Sequence, residues 1–226
     1  MKTIGIYCIA LIMVLFTGLS LSGCKVAHRA LPQNMQNESS ELTVEGRALL
    51  ILRKSFQFGP YNVTNVHRGW TRGGGFSLSG GSASFSSSKA KQKYEFSVNE
   101  SDRPTWEVQC ATGAKWNEAG LKGFLGGGLS MEFSSSKQLV CTLKQEGDEK
   151  VAKLVMAQSA NEMALQGIMT DGDTQIDISV THKLAGTPLK LGEPTGYTFH
   201  IEGRPVGAVE VINKGTVWLN NSVTPE

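Results

Sequence analysis

From Val44 onward, apolar and polar residues alternate with a period of two. Tyr94, Phe96 and Val98 alternate with Glu95 and Ser97, and Trp106, Val108 and Cys110 with Glu107 and Gln109. Ile176, Ile178 and Val180 alternate with Gln175, Asp177 and Ser179, and Tyr197, Phe199 and Ile201 with Thr198 and His200. This period places one face against a core and the other in water. It favours antiparallel pairing over a doubly buried parallel sheet. Turn signals separate the runs: Glu146-Gly147-Asp148, Asp171-Gly172, Glu202-Gly203-Arg204-Pro205 and Asn213-Lys214-Gly215, with a longer loop over Asn99 to Pro104.

Most hairpins therefore join sequence neighbours. The expectation is an all-β fold of ten to thirteen strands, an antiparallel hairpin meander closed as a barrel or packed as a two-sheet sandwich. At most one or two short helices are expected. Glu45 to Lys54 reads as a short helix or a first strand, Trp116 to Phe124 is ambiguous, and Thr224-Pro225-Glu226 reads as a frayed tail or a helix start. Trp106 and Trp218 read as core. Lys89, Lys91 and Lys93 read as a solvated edge strand.

The first 23 residues follow another logic. A lone Lys2 precedes an uncharged apolar stretch from Ile4 to Phe16, then small residues. This order is that of a secretory signal peptide, and the stretch is shorter than the ~20 residues that span a bilayer. Leu21-Ser22-Gly23-Cys24 resembles the lipobox of bacterial lipoproteins at all four positions. The resemblance implies cleavage before Cys24, acylation of that cysteine and a stable membrane anchor. Lys25, where an Asp would resemble an inner-membrane retention signal, implies the outer membrane with the chain facing the periplasm. Residues 24–43 are polar and aperiodic and read as the lipidated N-terminus and a flexible tether. His28 and Arg29 fall in that linker. Residues 44–226 form the single β-rich domain, whose strand pattern loosely resembles tubby-like barrels.

Composition narrows the function classes. Among 226 residues, 22 Lys and Arg stand against 20 Asp and Glu. A chain so balanced lacks the cationic excess of a nucleic-acid binder or of a protein drawn electrostatically to anionic lipid. Cys110 and Cys141 lie on apolar strand faces, and in an oxidising compartment they are a candidate disulfide, with two free thiols as the alternative. No Cys or His stands at metal-ligand spacing, and no cofactor is expected.

Catalytic templates fail one by one. Gly-x-Ser-x-Gly is missing. Ser86-x-x-Lys89 and Ser134-x-x-Lys137 lack the partner motifs of penicillin-recognising enzymes. Gly73–Gly75 and Gly126–Gly128 lack the Lys-Ser/Thr of a phosphate loop. Asp171-Gly172-Asp173 misplaces the glycine of a calcium loop. The two glycine triplets each lead to Phe-Ser-Ser-Ser-Lys, which reads as a chance match of Gly/Ser-rich sequence or as a partial internal repeat. Trp70 and Trp116 lie near them and are the candidate binding surface. His67, between Val66 and Arg68, is the histidine most worth following. The expectation is a non-enzymatic, lipid-anchored module that binds or scaffolds an envelope protein or the cell wall. The alternative is an envelope hydrolase with an unrecognised site. An outer-membrane pore fits least, because residues 71–89 alternate poorly.

Overall fold

A computed structural model describes residues 26–47, 55–70, 76–80, 83–87, 92–112, 124–125, 134–158 and 165–222. The fold is all-β. Its strands are β1 (Ser39–Glu45), β2 (Phe56–Phe58), β3 (Tyr61–Trp70), β4 (Phe76–Gly80), β5 (Ala83–Ser87), β6 (Gln92–Glu100) and β7 (Trp106–Thr112). Then come β8 (Ser134–Gln145), β9 (Val151–Gln158), β10 (Leu165–Thr170), β11 (Gln175–Thr181), β12 (Gly196–Ile201), β13 (Arg204–Glu210) and β14 (Thr216–Asn220). Twelve of them close into a barrel, and β4 and β5 form a separate hairpin. Of the two architectures expected, the barrel is the one formed.

Every neighbour in the barrel is antiparallel, and nearly every pair is consecutive in sequence. The β4–β5 hairpin interrupts one step, so β3 pairs with β6. The ring shuts where Ser39–Thr43 of β1 pair with Asn220–Thr216 of β14. A closed ring has no free edge. That corrects the reading of Lys93, whose strand β6 lies between β3 and β7. The Lys93 ammonium instead pairs with Glu95 on the outer wall, at 3.1 Å.

The turns follow their sequence signals. Glu202 and Gly203 link β12 to β13 with φ of 49° and 75°. Two positive φ values fit the primed turn that matches strand twist. The Asp171 carboxylate accepts the backbone N–H of Asp173 and Thr174, at 3.0 and 2.7 Å, and so closes the β10–β11 turn.

Residues directly opposite in neighbouring strands share a face. Tyr94, Phe96 and Val98 stand opposite Cys110, Val108 and Trp106, and Cys110 stands opposite Cys141. This set faces the interior. Trp106, expected in the core, is 37% exposed. It is the first residue of β7 and sits at the barrel's rim, beside the 101–105 turn. Trp218 is buried as expected, but on the outer wall.

That outer wall explains the largest correction. The segment expected as a free tether is docked from residue 28 onward. Arg29 is 2% exposed and Met35 is fully buried. A single 3-10 turn (Gln33–Met35) sets Met35 against Ala208 and Trp218, with Leu31 beside them. The chain then enters β1 at Ser39. Thus the expected domain start at Val44 falls inside a strand. Glu45 ends that strand, and residues 48–54 of the helix-or-strand stretch lie outside the described residues, as do Thr224–Glu226. The missed signal is spacing: Leu31 and Met35 are too sparse for a period, yet they supply an apolar patch for the wall.

Candidate functional site

Strand number sets the width of a barrel. About eight strands make an interior that side chains can just fill, and larger barrels enclose space. This twelve-stranded ring encloses a cavity of about 660 Å³. The volume is within the roughly 300–1,000 Å³ of small-molecule sites.

The lining is overwhelmingly apolar. Tyr94, Phe96 and Val98 of β6 meet Val108 and Cys110 of β7. Leu139, Cys141 and Leu143 of β8 continue the surface to Leu154 and Met156 of β9. Ile178, Tyr197 and Phe199 close it from β11 and β12. Several of these side chains are only half-buried, because they face the cavity rather than one another. Cys110 and Cys141 form a disulfide across the ladder, and it is part of the lining. Burial in this wall pushes the Tyr197 phenol above its ordinary pKa, so it stays neutral.

Among the described residues, one charged side chain lines the cavity. Arg68 lines it and is exposed to solvent, which places it where the cavity opens. A register shift between Thr64 and His67 puts it there. Asn65 takes φ of 54° in this irregularity, a conformation Asn tolerates better than most residues. One extra residue flips the faces of all that follow. Without it, His67 would point inward. With it, His67 pairs with Glu95 on the outer face and donates to the Asn65 carbonyl at 2.7 Å, while Arg68 stands opposite Tyr94. The Tyr94 hydroxyl donates to Gln92 at the same end. Sequence reading singled out His67. Period-two counting across a bulge assigns the wrong neighbour.

The other candidates are placed only in part. Trp70 ends β3 opposite Gln92, but its side chain is not among the described residues. Trp116, both glycine triplets and Cys24 lie outside them. β4 lies near β8 and β9, and the Lys153 ammonium of β9 stands over the Phe124 ring at 5.6 Å. Among the described residues, no group of three His, Cys, Asp or Glu could hold a metal ion.

A second polar site lies where the N-terminal strap meets the wall. The Glu210 side chain is 1% exposed. It accepts the Arg29 backbone N–H at 2.8 Å and contacts the His28 ring at 3.2 Å. The Arg29 guanidinium donates to the Tyr197 and Val209 carbonyls and to the Thr198 hydroxyl. Its burial lowers its pKa to about 10, against the pull of Glu210. The Arg29 side chain passes over Gly196, where a Cβ would lie 2.9 Å from its Cδ and 2.0 Å from the Val209 carbonyl oxygen. These groups lock the strap and do not resemble a reaction centre.

No family model, no curated protein and no solved structure matches the chain.

Proposed function

We propose that this chain is a lipoprotein of the bacterial outer membrane, anchored through Cys24 and facing the periplasm, whose barrel binds one apolar molecule. The observation that carries the reading is the 660 Å³ interior lined by aromatic and aliphatic side chains from eight strands. Burying apolar surface in such a space contributes roughly 25 cal/mol per Å². Among the described lining residues there is no carboxylate, histidine or serine. This favours binding over the hydrolase alternative, since the carboxylate, histidine or serine that hydrolysis ordinarily uses is not among them and burial holds the lining Tyr197 phenol neutral.

The face pattern argues against a pore. Glu95, Ser97, Glu107 and Gln109 lie on the outer wall, and the interior is apolar. A membrane-spanning barrel has the reverse arrangement.

The test uses the full chain purified from membranes and returned to lipid vesicles. The probe is palmitic acid carrying a diazirine at its terminal carbon. Photolysis is expected to label peptides within 92–112 and 134–158. Leu154→Trp, which fills the cavity, is expected to cut labelling several-fold while the β circular-dichroism signal persists. Wild-type protein labelled only outside these peptides would overturn the binding reading. The anchor has its own readout: labelled palmitate enters the wild type and not Cys24→Ser.

A further inference from the structure

We propose that the end of the barrel carrying the β11–β12 loop and the root of the N-terminal strap rests on the bilayer, so that the cavity opens toward lipid. The proposal rests on the lipid-anchor reading above.

The chain path is the first ground. Arg29 is fixed on the wall beside Tyr197 and Val209, at the start of β12 and the end of β13. Only four residues separate it from Cys24. An extended chain advances at most ~3.6 Å per residue, so an acylated Cys24 lies within about 18 Å of Arg29. A tether running to residue 43 would let the barrel tumble. This short one brings a particular end of the barrel against the membrane.

The second ground is what that end exposes. Among the described residues, the exposed large hydrophobics are Val26, Trp106, Leu189 and Leu191. Three of the four are at this end. Leu189 and Leu191 are 66% and 41% exposed, on the loop between β11 and β12. Lys190 stands between them, and Lys183 pairs with Lys190 across a bridge. The loop is tied to the strap, because Ala30 donates to the Lys183 carbonyl and Ala185 to the His28 carbonyl. Apolar tips flanked by lysines suit the boundary of headgroups and acyl chains, where the leucines enter and the ammonium groups stay in the polar layer. Glu193 on the same loop limits the net positive charge, so apolar contact and the anchor carry the attachment rather than electrostatics.

The third ground joins this surface to the cavity. Arg68 near the end of β3 and Thr112 at the end of β7 bring the lining to this same end. An acyl chain leaving the bilayer would enter beside the Arg68 guanidinium, which suits the carboxylate or phosphate of its headgroup.

The acylated full-length protein, in phosphatidylethanolamine–phosphatidylglycerol vesicles, tests this with one nitroxide per molecule. One label replaces Gly192, where an added side chain meets nothing within 4 Å. The other replaces Glu149, exposed at the opposite end. The bonded Cys110 and Cys141 do not take label. The ratio of oxygen to nickel-chelate accessibility is expected to be several-fold higher at Gly192→Cys than at Glu149→Cys. Adding Leu189→Ser and Leu191→Ser is expected to bring the Gly192 label to the water value while the protein stays on the vesicles. Equal ratios on acylated, vesicle-bound protein overturn this proposal alone. So does dipolar broadening at Gly192 that shows a second copy covering the loop. A chain without acyl mass on Cys24 overturns the anchor reading and this proposal together.

Discussion

The two ends of the barrel are built differently. At one, the connections are two to five residues long: Gly59-Pro60, 101–105, 146–150, 171–174 and Glu202-Gly203. At the other they reach 21 residues, over 71–91 and 113–133, and 14 over 182–195. The short end is made of turns whose geometry the local sequence determines. The long end carries the β4–β5 hairpin, the root of the strap, the exposed leucines and the cavity opening beside Arg68. Long loops on a rigid scaffold are where binding groups concentrate. The asymmetry therefore separates an end of short turns from the end at which we propose that the barrel meets its ligand.

The strap that ties down the long end depends on Glu210. Glu210→Ala removes the buried acceptor of the Arg29 backbone and leaves the guanidinium without its nearest counter-charge. Removing one partner from a buried charged set costs about 3–5 kcal/mol. Urea unfolding should show that loss, and limited proteolysis should now cut within residues 26–36. A variant with wild-type midpoint and an uncut strap would show that the long end does not depend on this lock.

The disulfide is next. It joins residues 31 apart across the 113–133 connection between β7 and β8. Closing such a loop stabilises by roughly 3–4 kcal/mol on the chain-entropy account. Cys110→Ala with Cys141→Ala should lower stability by about that amount. Hydrogen exchange should rise in β7 and β8 near residues 112 and 138 and stay unchanged at the 171–174 turn. Uniform loosening at both ends would contradict a local staple.

The smallest effect belongs to the turn end. Hydrogen bonds from the Thr174 and Asp173 backbone hold the Asp171 carboxyl below its ordinary value of 3.8. A lowered carboxyl pKa adds stability that is present above 3.8 and lost as pH falls through the folded value. The group is largely exposed, so the effect is small. Between pH 5 and 3, Asp171→Asn should lose slightly less stability than the wild type by thermal melting. An identical pH slope would remove Asp171 from the turn's stability.

Much of this architecture is legible in the chain, and the failures have physical causes. The strands β6, β7, β11 and β12 follow from alternation of polar and apolar residues, although the outer-face Thr198 of β12 is buried under Arg29 rather than wet. The Glu202-Gly203 and Asp171-Gly172 turns follow from residues that tolerate positive φ or accept their own backbone. The strap is not legible, because its apolar residues bury against the outside of a wall that the sequence does not display. Arg68 is hidden by the bulge at Asn65, which shifts the alternation by one. The cavity follows from the number of strands in the ring, and the chain's pattern bounds that number without distinguishing a barrel from a sandwich. The pairing of Cys110 with Cys141 was the chemical feature most directly readable, since two apolar-face cysteines on neighbouring strands meet when the register aligns.

The seam between β1 and β14 has a temporal consequence. Its partners are nearly the whole folded chain apart, Ser39 against Asn220. Every other pair joins strands nearer in sequence and can form as they emerge, but this one waits for the final strand. Contacts of such separation form late, because a long loop must close before they contribute. Until then the growing ladder has two raw edges, each able to pair with another chain. A chain delivered across a membrane from its N-terminus would hold β1 idle for most of that passage. The seam is thus a clock as well as a closure, and the interval before it shuts is when the protein is most open to aggregation or to a chaperone.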